Sequence, residues 1–298
     1  MKSQAKITLI QLTDNGNADT ALERMPAFFE RAAEHGSDLV VFPEYILGRK
    51  IPVTHSRVQK FCALARRHRV YAVAGLVEAR DNAWSTTALL VDRTGAIIGD
   101  YRKIHPAGGT EPHYWPPLQK NDETLGVLGS EFKGFCLDFG TVGILQCYDG
   151  YFPEAWGCAA FTGAEILLWI NGRRSMVEDA YCISAAHAYG CVVGANVSNG
   201  WNTGFAEPRV RCIAADGSRE EMRLFPRIPH KGDACVHAAI DLAMLRHHRK
   251  HLRTMHQRRP ELYGALTQPW KMWQSYPEIP WDYPECLEWV NKKGRGNS

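Results

Sequence analysis

The sequence predicts an α/β protein, a four-layer α-β-β-α sandwich built from two pseudo-symmetric halves. Three observations carry this. Strand signals alternate with helix signals along the chain. The two halves rhyme segment by segment. Strands such as "DLVVF" and "EILLWI" are apolar on both faces, so both faces must be covered. Two sheets laid face to face, with helices outside, meet that requirement.

The elements follow in order. "KITLIQL" (6–12) and "GTVGILQC" (140–147) open the halves as strands. "AAEHGSDLVVFPE" (32–44) matches "AAFTGAEILLWIN" (159–171): a helix end, a glycine, then a buried strand closed by a polar residue. "FCALARRHRVYAVAGLVEA" (61–79) matches "YCISAAHAYGCVVGANVSN" (181–199), again a helix followed by an apolar strand. "TTALLVDRTGAIIGDY" (86–101) and "EPRVRCIAADGSREEM" (207–222) read as hairpins turning at Thr-Gly and Asp-Gly. On this alignment Glu44 and Asn171 occupy equivalent strand ends, and Cys147 closes the first strand of the second half. Polar residues at the carboxyl ends of parallel strands sit where α/β sheets bind ligands.

Composition narrows the function classes. The 298 residues can bury a sizeable core. Hydrophobic residues at 45% and charged residues at 22% are ordinary for a globular domain. A net charge of 35 − 32 = +3 implies neither nucleic acid nor a membrane surface. The N-terminal apolar run is too short for a secretory signal, and no run has transmembrane length, so a cytoplasmic protein is expected. Nine cysteines, an odd number without a CxxC pair, suggest reduced thiols rather than a disulfide framework or a zinc ribbon.

Two domains are expected: a catalytic-type domain over 1–258 and a Pro/Trp-rich tail over 259–298. From Met255 onward there are five prolines and four of the nine tryptophans. So aromatic a segment is expected to lie on the domain or on a neighbouring subunit.

Four residues draw attention, each weakly when taken alone. Glu44 in "FPE" reads as a strand-end carboxylate, Lys103 in "YRKIHP" as a charge after a hairpin, and Glu111 in "GGTEPHYW" as a loop acid. Cys147 in "GILQCYDGYFPE" follows an apolar run, where a cysteine is most often core. Taken together and in this order, these stretches resemble the nitrilase superfamily of carbon–nitrogen hydrolases, over roughly residues 5 to 265 and including the late "RRPELYGAL". The resemblance implies the nitrilase-like sandwich and association into homodimers or larger assemblies. It also implies a Glu-Lys-Glu-Cys catalytic set that maps onto Glu44, Lys103, Glu111 and Cys147.

The chemistry suits those residue types. A thiolate is a good nucleophile towards a poor electrophile such as an amide carbon. Cys147 precedes a helix start at Pro153, so helix-end amides and a nearby ammonium are expected to lower its pKa. Glu44 is the candidate general base. Lys103 and the backbone N–H of Tyr148 are the candidate oxyanion donors. Glu111 would orient Lys103 and the substrate nitrogen. No metal and no organic cofactor are called for.

"CYDGYFPE" resembles the amidase branch more than true nitrilases, which tend to carry Trp-Glu after the nucleophile. A small-molecule amide giving a carboxylic acid and ammonia through a thioester is therefore the favoured reaction. N-carbamoyl amino acid hydrolysis and nitrile hydrolysis are the alternatives. Arg173 and Arg174 follow the strand ending at Asn171, and Arg173 is a candidate carboxylate contact. Tyr45, Trp115, Trp169 and Asn171 are candidate pocket residues, the aromatic ones favouring a compact aliphatic or aromatic acyl group. A different class, a non-catalytic nucleic-acid-binding protein, would use the basic stretch 246–259. Such a stretch is more often a solvated face or a subunit contact, and no nucleic-acid partner is expected.

Overall fold

The computed structural model describes residues 2–14, 16–107, 122–123, 125–173, 175–208 and 226–268. The first half runs β1 (Gln4–Gln11), α1 (Ala18–Glu34), β2 (Leu39–Val41), α2 (Ser56–His68), β3 (Tyr71–Arg80), β4 (Ala83–Val91) and β5 (Ile97–Arg102). The second runs β6 (Gly134–Cys136), β7 (Thr141–Gln146), a 3-10 turn (Cys147–Tyr151), α3 (Pro153–Phe161), β8 (Ile166–Asn171), α4 (Asp179–Tyr189), β9 (Val192–Val197), β10 (Gly204–Ala206) and β11 (Ala234–Asp241). Then follow α5 (Leu242–His251), α6 (Arg253–His256) and a second 3-10 segment, Pro260–Thr267.

Two sheets form, in the orders β11-β1-β2-β3-β4-β5 and β10-β9-β8-β7-β6. The rhyme in the sequence is real: β1-β2-β3 and β7-β8-β9 are both parallel triplets. The period-2 alternation of strands sorts the layers. Leu9, Leu39, Val41, Val73 and Leu90 turn inward and join one core with β7, β8 and β9. Ile10, Val40, Phe42, Ala72 and Leu89 turn outward and form a second core with Phe28, Phe29 of α1 and Phe61 of α2. Helices α3 and α4 contribute Ala159, Ala160, Ala185 and Ala186 to the first core, against the second sheet.

Buried amides pin the sheets together. Asn196 Nδ2 donates to the carbonyls of Ile10 (3.0 Å) and Val41 (2.9 Å), and Gln146 Nε2 to those of Thr86 and Tyr101, both at 3.2 Å. These bonds run from side chains of the second sheet to backbone carbonyls of the first.

Two features differ from the sequence reading. β11, late in the second half, pairs antiparallel with β1 and so belongs to the first sheet. β6 adds a short antiparallel edge to the second sheet. The hairpin expected at 207–222 falls mostly outside the described residues, as do most of the tail and Arg174. The basic stretch is partly structural. Arg246 forks onto Glu165 (2.6 and 3.0 Å), and Arg249 donates to Ala164 O, so both tie α5 to the body. Among the described residues no helix is long and apolar enough to cross a membrane, and all seven cysteines are free thiols.

Candidate active site

Glu44 sits just past β2. The strand's hydrogen bonding continues through it, with Phe42 N–H donating to Val73 O (2.8 Å) and Gly75 N–H to Pro43 O (3.1 Å). Gly75 is required there, since a Cβ would lie 2.6 Å from Glu44 Cα. Lys103 follows β5, its N–H donating to Thr86 O at 2.9 Å. Cys147 follows β7 and has φ +45°, a left-handed conformation uncommon for a side-chain-bearing residue, as expected at a sharp strand-to-turn corner.

The corner is held from below. Trp169 Nε1 donates to Cys147 O (2.7 Å), and Trp156 Nε1 to Gly150 O (2.8 Å). A Cβ on Gly150 would meet the Trp169 ring at 2.3 Å. Helix α3 does begin at Pro153, but Cys147 lies in the 3-10 turn before it rather than at its N-terminus.

Glu44 and Lys103 form a fully buried ion pair, Nζ to Oε1 at 3.1 Å, with both side chains 1% exposed. The other oxygen of Glu44 accepts the N–H of Gly172 at 2.9 Å, so the two pseudo-equivalent strand ends meet at this carboxylate. A second acid completes the group. Glu123 Oε1 lies 2.7 Å from Lys103 Nζ and accepts the Tyr45 hydroxyl, while Oε2 accepts Ala107 N–H at 2.5 Å. Sequence reasoning missed Glu123. It lies 20 residues past Lys103, in the polar run "QKNDET" and in no recognisable motif. Glu111 and Trp115, expected near this point, lie outside the described residues.

The electrostatics reverse one expectation. Burial and then the Glu44 carboxylate push the Cys147 thiol up to about 12, and Lys103 only partly opposes them. The thiol therefore rests protonated, and a base in reach matters more than a helix end. Burial drives Lys103 towards losing its proton, but Glu44, Cys147 and Asp149 together raise its pKa. Burial and the neighbouring Glu44 hold Glu123 well above the usual carboxylate range, with the Ala107 amide pulling the other way.

Several expected pocket residues are placed elsewhere. Trp169 and Asn171 are fully buried and do not line the cavity beside Glu44. Trp169 supports the Cys147 corner, and Asn171 Nδ2 donates to the carbonyls of Trp169 and Asn196, both at 3.0 Å. Arg173 is engaged by Glu178 (Nη1 to Oε1, 2.9 Å) and lies 4.9 Å over the Trp169 ring, so its charge is already paired with a carboxylate. Its charge still reaches Cys147. Tyr45 does line the cavity, together with Glu44 and Gly172. Tyr148 packs its ring 5.4 Å from both Tyr151 and Phe152. Among the described residues no cluster of metal-ligating side chains occurs.

The arrangement suits nucleophilic acyl transfer: a thiol at a strained corner, a carboxylate that can take its proton, and a buried ammonium beside both. Known proteins share sequence and fold with this chain. The profile of the carbon-nitrogen hydrolase family matches residues 6–247. The citrullinase of Francisella tularensis is 25% identical, over 88% of this chain and 97% of that protein. Human deaminated glutathione amidase is 25% identical, over 88% and 85% respectively. The crystal structure of a carbon-nitrogen hydrolase from Helicobacter pylori G27 superposes with a TM-score of 0.67 at 20% identity, covering 89% of this chain and 99% of that one. The chain belongs to the carbon–nitrogen hydrolase family of the nitrilase superfamily, and is an enzyme of the amidase type.

Proposed function

We propose that this enzyme cleaves the C–N bond of a small-molecule amide with Cys147 as nucleophile, giving a carboxylic acid and ammonia through a thioester. The observation that carries the reading is the buried Glu44–Lys103 pair within electrostatic reach of the Cys147 sulfur. Glu44 takes the thiol proton as sulfur attacks the carbonyl carbon. The Lys103 ammonium and the Tyr148 N–H stabilise the tetrahedral oxyanion. Glu44 returns the proton to nitrogen, the C–N bond breaks and ammonia leaves. Water, deprotonated by Glu44, then adds to the thioester, and the acid and the thiol are released. Glu123 also holds Lys103; Glu111, given that role from the sequence, lies outside the described residues.

Ureido hydrolysis is the second reading, favoured by the near full-length match to a citrullinase. The same attack on a ureido carbonyl would expel the substrate amine. The carbamoyl thioester would then hydrolyse to carbamic acid, which falls apart to carbon dioxide and ammonia. Association into a homodimer or larger oligomer belongs to this proposal too. The exposed Leu262 (64%) and Leu266 (62%) support it as apolar surface on the segment leading into the tail.

The test is ammonia release from a panel of amides, ureides and nitriles, with intact-mass detection of the acyl-enzyme. Cys147→Ala is expected to abolish turnover and the adduct. Turnover retained in that variant overturns the nucleophile assignment.

A further inference from the structure

The cavity on which Glu44 opens has a volume of about 220 Å³, the scale of a metabolite rather than a polymer. Glu44 and Tyr45 are its buried lining, and the more exposed Asp14, Arg49 and Asn199 form its mouth. Asp14 is half-buried. Its Oδ1 accepts Gly16 N–H (3.1 Å) and Asn199 Nδ2 (3.3 Å). Among the described residues it forms no ion pair. The Arg49 guanidinium is laid over the Tyr45 ring, 3.9 Å from its centroid. Its one acidic neighbour among the described residues, Asp122 at 3.6 Å, is closer to Lys50, at 2.9 Å. One acid thus serves two cations, and Arg49 keeps charge to spare. The mouth therefore offers a ligand one uncompensated carboxylate and one under-compensated guanidinium.

We propose that this pair binds the α-ammonium and α-carboxylate of an amino acid whose side chain ends in the scissile carbonyl. The substrate class is then an α-amino acid with a terminal amide or ureido group, and the inference rests on the hydrolase reading above. Charge decides against the alternatives. An aliphatic or aromatic acyl group, the class the sequence favoured, would desolvate Asp14 without compensation. A dicarboxylate monoamide would set its free carboxylate at the same mouth without a cation for Asp14. A diamine derivative would leave Arg49 facing an ammonium. Only a zwitterion satisfies both, with the guanidinium taking the carboxylate by paired hydrogen bonds and Asp14 taking the ammonium.

Two matched series test this on the full chain. The amide series is L-glutamine, glutaramate (no amine), 4-aminobutanamide (no carboxylate) and butanamide (neither). The ureido series is L-citrulline, 5-ureidopentanoate, 4-ureidobutylamine and butylurea. Within the series that is turned over, the zwitterion is expected to exceed each truncated analogue in kcat/KM by at least about tenfold, because an unpaired charge is left in the site. Asp14→Asn should raise KM for the amine-bearing members and spare the carboxylate-only one, with kcat little changed. Arg49→Gln should do the converse. Butanamide or butylurea turned over as well as the zwitterion overturns the inference, as does an equal loss in all members from either substitution. Silence across both series also overturns it. The hydrolase reading falls separately, only if no amide or ureide leaves an adduct on Cys147.

Discussion

Asp149 accepts both the backbone N–H (2.9 Å) and the ring Nδ1 (2.8 Å) of His105 on a single carboxylate oxygen. Its other oxygen takes the Tyr101 hydroxyl (2.9 Å) and Gln146 N–H (3.1 Å). Gln146 precedes Cys147 and His105 follows Lys103 by two residues, so one fully buried acid fastens the Cys147 corner to the segment after β5 that carries Lys103.

Asp149→Asn keeps the shape but turns one of the two accepting oxygens into a donor, set against either the His105 amide or the Gln146 amide. The expected outcome is a stability loss of about 2–4 kcal/mol by urea unfolding. Turnover should fall by about a hundredfold with KM nearly constant, because Lys103 and the Tyr148 N–H, the proposed oxyanion donors, drift apart. Steady-state kinetics below the unfolding transition check the split.

Glu123→Ala removes an acceptor shared by Lys103 and Tyr45. Lys103 then keeps one carboxylate and gains freedom to move. Turnover is expected to fall by about tenfold to a hundredfold, and Glu123→Gln, which still accepts one hydrogen bond, by less. Equal kinetics for wild type and both variants would remove Glu123 from the site.

Gly75→Ala places a methyl 2.6 Å from Glu44 Cα and 2.8 Å from Tyr45 N. Backbone must shift, at a cost of about 1–3 kcal/mol. The displaced atoms belong to Glu44, the proposed base, so activity should fall by at least about tenfold while the protein still folds. Thermal melting beside an ammonia assay separates the two effects.

Alkali should unfold the protein. The folded-state thiol values of Cys147 and Cys182, about 12, and of Cys191, about 11, stand above the ordinary value of 9.0, mainly through burial. Between pH 9 and these values the unfolded chain releases protons that the native state retains, so stability falls as pH rises through that window and is intact below it. A pH series of urea midpoints should be flat from neutrality to about pH 9 on this account and decline above it. Cys182→Ala should shallow the decline.

Much of this was legible in the sequence because it was written locally and twice. The repeated apolar runs ending in Glu44, Cys147 and Asn171 gave strands whose ends converge, and Lys103 followed a hairpin marked by Thr94-Gly95. What stayed hidden depended on distance. Glu123 reaches Lys103 through chain geometry that no local pattern encodes. The pairing of β11 with β1 joins residues more than two hundred positions apart. Trp169 looked like a pocket wall because tryptophan beside a site is ambiguous until its indole N–H finds a partner, here the Cys147 carbonyl. The thiol's pKa was misjudged because a neighbouring ammonium was weighed without the burial that accompanies it.

The partnership of β11 with β1 bears on synthesis. A nascent chain leaving the ribosome exposes β1 long before β11, and that strand keeps one unsatisfied edge until Ala234–Asp241 has emerged. The six-stranded sheet cannot close co-translationally before then, and an interrupted product ending ahead of that point would present a bare apolar ribbon to chaperones and proteases.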